Sequence, residues 1–396
     1  MPPLQSPPRQ LSLDLLRGIV IALMALDHVR DFFSASAGLF EPTNLARTTP
    51  QLFFTRWITH LCAPTFVLLA GIGAYLSTTR GRSLPQLSRF LATRGLWLIF
   101  LEVAFITPFG WSFQANPSFF RLQVIWAIGC SFLCLAALLP LPTRAIGLLG
   151  LCLVAGHNLF DSLLPLPAFL QPLWSLLHSV QFFRLNDHQV VASLYPLLPW
   201  LGLLLLGFGL GELWQLETPR RGKFLLAAAA SCLLFLLLFR LPNLYGDPQP
   251  WTAQSTPLFT LLSFLNVSKY PPSASFLAIT LAPAFLLLFL LERQSRPRFD
   301  FFLVFGRVPL FFYLLHLPVI HGLAVLFSEW QWSGSAWLWQ DPFALRRPPL
   351  AAPPGYGYSL PVVYGVWLFT LVALYPICRW YGQWKARSRN PLLSYL

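Results

Sequence analysis

The sequence predicts an all-α integral membrane bundle of about ten transmembrane helices with both termini in the cytoplasm. Three observations carry that expectation. Hydrophobic residues make up 56% of the chain and charged residues only 10%, apolar runs long enough to span a bilayer recur from end to end, and the basic residues gather in alternate loops. An ordinary soluble domain carries roughly 25% charged residues, so a water-facing shell could not cover this much apolar surface. The formal charge of +13 is therefore read as membrane sidedness and not as nucleic-acid binding.

The runs fall at about 15–36, 60–79, 94–110, 121–140, 145–160, 194–213, 223–240, 274–292, 301–327 and 360–380. They form one transmembrane domain over about 15–380, between a cytoplasmic tail at about 1–14 and a basic cytoplasmic tail at about 381–396. The first run, with Arg9, Arg17 and the small residues Ala35 to Ala37, imitates a cleavable signal peptide. It also contains Asp27, His28, Arg30 and Asp31, where such a peptide is uncharged, and so it is read as a retained helix. Alternating the loops places 18 of the 27 basic residues together, which assigns that side to the cytoplasm. The fifth run is the shortest and the weakest of the ten, and removing it would invert everything after it. The basic clusters at 220–223, 293–298 and 379–389 support keeping it.

The opposite loops, at 37–59, 161–193, 241–273 and 328–359, are long and rich in Pro and Trp. Trp111, Trp174, Trp251, Trp330, Trp332, Trp337 and Trp339 suit the apolar faces of sugar rings, and equally an interfacial aromatic belt. The six cysteines show no C-x-x-C and no metal-ligand spacing, and read as buried small hydrophobes.

The stretch LDHVRDFF, residues 26–33, puts four ionisable groups near the end of the first helix. At 1.5 Å per residue, His28 lies about 20 Å along from Leu15, in the outer third of a hydrocarbon core about 30 Å thick. His60 enters on the second helix, and His316 and His321 rise on the ninth to the same stratum. Ionisable groups at such depth face a bundle interior or a wet cavity, and mark function. His28 and Asp31 are i,i+3 neighbours, while Asp27 faces Arg30 and Asp31, so one carboxylate can orient an imidazole and another pair with the arginine. An oriented neutral imidazole removes a proton from an amine or hydroxyl nucleophile. The plainer reading is a polar cluster that ends the helix at the interface. No carboxylate–histidine spacing points to a metal.

The blocks LSLDLLRGIVIALMALDHVRDFF, FFTRWITHLCAPTFVLLAG, SLYPLLPWLG, SKYPPS and GRVPLFFYLLHLPVIH, taken in this order, resemble the bacterial branch of the heparan-alpha-glucosaminide N-acetyltransferase catalytic-domain family. The resemblance implies a multi-helix enzyme of the bacterial cytoplasmic membrane. Such an enzyme takes acetyl-CoA on the cytoplasmic side and acetylates a sugar amine or hydroxyl presented from the other. The lysosomal enzyme's functional Asn, about eleven positions beyond the motif arginine (Arg17 here), falls on His28, and its histidine, about eleven further, on Leu39. The donor reading assigns Arg17, Arg80, Arg82, Arg94 and Arg307 to the CoA phosphates, since guanidinium matches phosphate oxygens in bidentate fashion. Each is equally an ordinary cytoplasmic anchor. His28, oriented by Asp31 or Asp27, is then the base, and Arg30, His60 or His316 stabilises the oxyanion. A route through an acetyl-histidine is the alternative chemistry, and a homo-oligomer is compatible with either. The rival function is a transporter or flippase for a lipid-linked sugar or small polar solute, which predicts paired interrupted helices in two related halves.

Overall fold

The computed structural model describes residues 10–79, 81–161, 167–293, 300–339, 352–388, 390 and 393, without the side chains of Ala168 and Asp300. Its helices are α1 (Leu11–Phe33), α2 (Pro50–Ile58), α3 (Cys62–Thr78), α4 (Leu84–Leu101), α5 (Val124–Leu138), α6 (Thr143–Gly156), α7 (Gln171–Leu177), α8 (Leu197–Leu210), α9 (Thr218–Phe235), α10 (Pro257–Leu265), α11 (Ala274–Glu292), α12 (Asp300–Arg307), α13 (Pro309–Trp332) and α14 (Leu360–Arg387). Local chemistry starts many of them. Thr49, Ser83, Thr256 and Ser273 each accept a backbone N–H of the first turn, and a proline stands at the start of α2, α4 and α10, where its missing N–H costs nothing.

Among the described residues eight helical stretches are long and apolar enough to cross a membrane. Two more helices belong to the bundle: α5, apolar but short, and α1, whose charged residues lie at its two ends. α1 runs through the middle, with Leu16, Val20, Ile21, Ala25 and Val29 buried. α4, α6, α9 and α14 turn rows of leucine and phenylalanine outward, among them Leu96, Leu148, Leu233 and Phe369, as a lipid-facing rim requires.

Glycine pairs bring backbones together. A Cβ on Gly18 would stand 1.8 Å from the Phe302 carbonyl oxygen, and one on Gly306 1.8 Å from that of Asp14, so α1 and α12 touch backbone to backbone. Gly71 and Gly207 do the same between α3 and α8, the small-residue packing of helices in lipid.

The structure refines the expected runs. The second begins earlier, as Pro50–Thr78, and the third covers Leu84–Ser112. The fourth starts as a strand, β1 (Phe119–Leu122), before α5. β1 pairs in parallel with β3 (Val190–Ser193), which pairs antiparallel with β2 (Gln181–Arg184). The ninth run is broken at Val308, because the residue before a proline is disfavoured in helix. Cys152, expected buried, is exposed on α6 beside the outward-turned Leu151.

Candidate active site

Asp27 is the hub of the polar cluster. It sits on α1 nearly two turns short of the end, and its carboxylate accepts from Arg56 Nη1 at 2.6 and 2.7 Å, Arg30 Nη2 at 2.9 Å and Thr59 Oγ1 at 2.8 Å. Lys269 Nζ stands 3.9 Å away. Arg30 also donates to Asp31 at 2.6 Å. Burying arginines in an apolar bundle is tolerable only with such pairing. Asp27 thereby ties α1 to α2 and to the turn Thr59–Leu61. His60, in that turn, is buried with its Nδ1 unpartnered.

His28 points elsewhere. Its Nδ1 is 3.6 Å from Asp31 Oδ2, within ion-pair range but longer than a normal hydrogen bond, so Asp31 holds the ring only loosely. The ring packs edge-on against Trp111, with centroids 5.3 Å apart, and lies 5.2 Å from the ring of His316. Trp111 is not on an outer loop as expected. It is buried in the wide π-helical turns Glu102–Ser112 that extend α4, beneath the Arg121 guanidinium at 4.2 Å, and it donates to Gln123 Oε1 at 3.1 Å.

The environment of His316 fixes its tautomer. Nδ1 faces the carbonyl oxygens of Tyr313 at 2.7 Å and Phe312 at 3.2 Å. Carbonyls only accept, so Nδ1 carries the hydrogen, and in the neutral ring Nε2 keeps a lone pair. That Nε2 is buried without a partner. His321, by contrast, is held at both nitrogens, by the carbonyls of Gly110 and Leu338, and is stacked between Phe32 and Phe113. Its role is to pack the helices.

A cavity of about 740 Å³ lies between α1, α3, α4, α5 and α13. Arg17, Arg82, Arg307 and Lys385 line it, with Arg94 ten residues into α4, and Asp14 is the one carboxylate among its described lining residues. Asp14 accepts from Arg17 at 2.8 Å, and the Arg82 guanidinium lies 4.1 Å over the Phe90 ring. Farther in, the lining turns apolar, with Leu98, Ile125, Ile128 and Leu310, and it reaches Tyr313. Neither His28 nor His316 belongs to it. His316 lies one turn beyond Tyr313, about 4.5 Å along the helix axis.

The structure thus gathers Asp27, Arg30, Asp31, His28 and His316 at one end of α1, and Arg17, Arg82, Arg94 and Arg307 around a cavity at the other. Arg80 lies outside the described residues. Leu39 is 64% exposed in a loop. Arg56, Thr59, Tyr313 and Lys269 are additions that the sequence reading did not single out. Of these only Arg56 carried a signal, as an arginine one turn before His60. Glu102 is fully buried, and its carboxylate accepts the Trp126 N–H at 3.3 Å, capping the start of α5. No group of three metal-ligating side chains converges among the described residues.

The family model described as heparan-alpha-glucosaminide N-acetyltransferase, catalytic, matches residues 9–240. No curated protein matches the chain.

Proposed function

Since the chain belongs to the heparan-alpha-glucosaminide N-acetyltransferase catalytic family, a family of transmembrane acetyltransferases, we propose that it moves an acetyl group across the bilayer from cytoplasmic acetyl-CoA to a sugar amine or hydroxyl on the outer side. The observation that carries this reading is the cavity. Five basic side chains line it and an apolar throat runs inward to within one helical turn of an imidazole with a bare nitrogen. The reading adopts ten crossings with both termini cytoplasmic in a bacterial cytoplasmic membrane, which puts the basic end of the cavity on the CoA side.

Arg17, Arg82, Arg94 and Arg307 bind the nucleotide phosphates, joined by Lys385. The pantetheine arm lies along the apolar throat, and the thioester stops at Tyr313. His316 is better placed than His28 to be the base, because its Nδ1–H is pinned to backbone and its Nε2 is free. Nε2 takes the proton of the acceptor amine or hydroxyl as that atom attacks the thioester carbonyl. The carbon–sulfur bond then breaks, and the imidazolium returns the proton to the CoA thiolate. Arg30, whose buried Nε–H has no partner, supplies a donor for the oxyanion. His28, packed on His316, faces the acceptor.

The test is purified protein in detergent with acetyl-CoA, following thiol release with and without amino sugars, alongside CoA binding by calorimetry. Binding together with acceptor-dependent release supports the reading. Absence of CoA binding would overturn it and favour the transporter.

A further inference from the structure

The segment SKYPPS at 268–273 lies beyond the family match at 9–240, and the mechanism above leaves it unused. Its Lys269 is only 9% exposed, yet no hydrogen bond reaches Nζ among the described residues. The nearest carboxylate, Asp27, is already taken up by Arg30, Arg56 and Thr59 at shorter range, which leaves the ammonium 3.9 Å off. The Tyr270 ring lies 5.2 Å from it. A buried ammonium is costly unless an anion or acceptor meets it.

The loop around Lys269 is clasped from both sides. Arg240, 2% exposed, donates to the carbonyls of Gln249 at 2.5 Å and Asn266 at 3.1 Å. Asp247 accepts from the Ser268 N–H at 2.9 Å and the Ser273 hydroxyl at 2.7 Å. The ammonium is therefore delivered to the Asp27 cluster by a fixed frame. Three cations, Arg30, Arg56 and Lys269, meet two carboxylates, Asp27 and Asp31, which leaves one positive charge over.

Resting on the acceptor-side reading above, we infer that Lys269 binds a negatively charged group, a carboxylate or a phosphate, on the sugar acceptor. The surplus charge is then neutralised when acceptor arrives and the reacting amine or hydroxyl is anchored at a second point.

The experiment titrates glucosamine, glucosamine 6-phosphate, 2-amino-2-deoxyglucuronic acid and inorganic phosphate into protein saturated with CoA, which blocks the other anion site. Wild type, Lys269→Met and Lys269→Arg are compared by calorimetry, with thiol-release KM values in parallel. We expect wild type to bind at least one anionic sugar about tenfold or more tightly than glucosamine, Lys269→Met to erase that preference and Lys269→Arg to keep most of it. The phosphate and carboxylate sugars separate the two sources of charge. Equal affinity for neutral and charged sugars, a preference that survives Lys269→Met, or binding of inorganic phosphate as tight as that of the sugars would overturn the inference. A charge preference in binding without any turnover would leave it standing and sink the acetyl-transfer reading instead.

Discussion

Among the described residues, five basic side chains line the cavity with one carboxylate, whereas around Asp27 three basic side chains meet two. The residue types are the same and the physics differs. Asp27, Arg30 and Arg56 are largely desolvated, with Asp31 at the exposed edge, so their charges must be balanced by close pairing within the fold. The cavity's cations face an open space of about 740 Å³, where water screens an excess of charge at little cost until a polyanion arrives. One cluster therefore holds helices together while the other waits for a ligand, and substitutions in the two should fail in different ways.

The largest effect is expected between the clusters, at His316. Replacing it with Ala should lower the rate of acetyl transfer by about 10²–10⁴-fold, the usual contribution of a positioned acid–base group. CoA binding should be unchanged, since the ring is no part of the cavity lining. A rate within twofold of wild type would remove His316 as the base and return the role to His28. Stopped-flow thiol release and calorimetry on the same preparation separate the two quantities.

Asp27→Asn comes next and reads out in stability. It leaves Arg30 and Arg56 buried without their shared counter-charge, a defect that costs about 3–5 kcal/mol. Thermal unfolding in detergent should show a marked loss, and Arg82→Gln should show none. Equal losses in the two variants would erase the contrast between the clusters.

Arg82→Gln and Arg307→Gln should instead weaken CoA binding. Loss of a hydrogen bond to a charged group is worth about 1.5–3 kcal/mol, or roughly tenfold and upward in Kd. The remaining affinity should depend less steeply on salt. Calorimetry at two ionic strengths tests both points, and an unchanged Kd in both variants would show the arginines to be membrane anchors only.

Those predictions also mark how far the sequence was informative. Apolar runs and the depth of LDHVRDFF located the helices and the polar stratum, because both follow from periodicity along one segment. The break at Val308 was latent in Pro309. Lys269 was not legible, because its meaning comes from a contact with Asp27 some 240 residues away in the chain and from a loop shaped by Arg240. Trp111 was misplaced because nothing in composition distinguishes π-helical turns from the end of an ordinary helix. The choice between His28 and His316 rests on which backbone carbonyls face which nitrogen, and no spacing rule contains that.

The smallest effect lies outside both clusters and serves as their control. Asp161, just past the span Thr143–Phe160, accepts from His178 at 2.7 Å and from Asn158 at 2.8 Å. Burial pushes its carboxyl upward, but these hydrogen bonds outweigh it and hold the pKa below the ordinary 3.8. A depressed carboxylate stabilises the fold above its unfolded value, and the contribution is lost as pH falls through the folded one. Because the side chain is 33% exposed, solvent screening should keep that contribution below about 1 kcal/mol. Asp161→Asn should thus lower the unfolding temperature slightly at pH 7, by a difference that shrinks as pH falls through the folded pKa, with acetyl transfer at neutral pH intact. A change in CoA affinity in this variant would mean that the outer loops and the cavity are coupled, and that the two charged clusters do not work as separate parts.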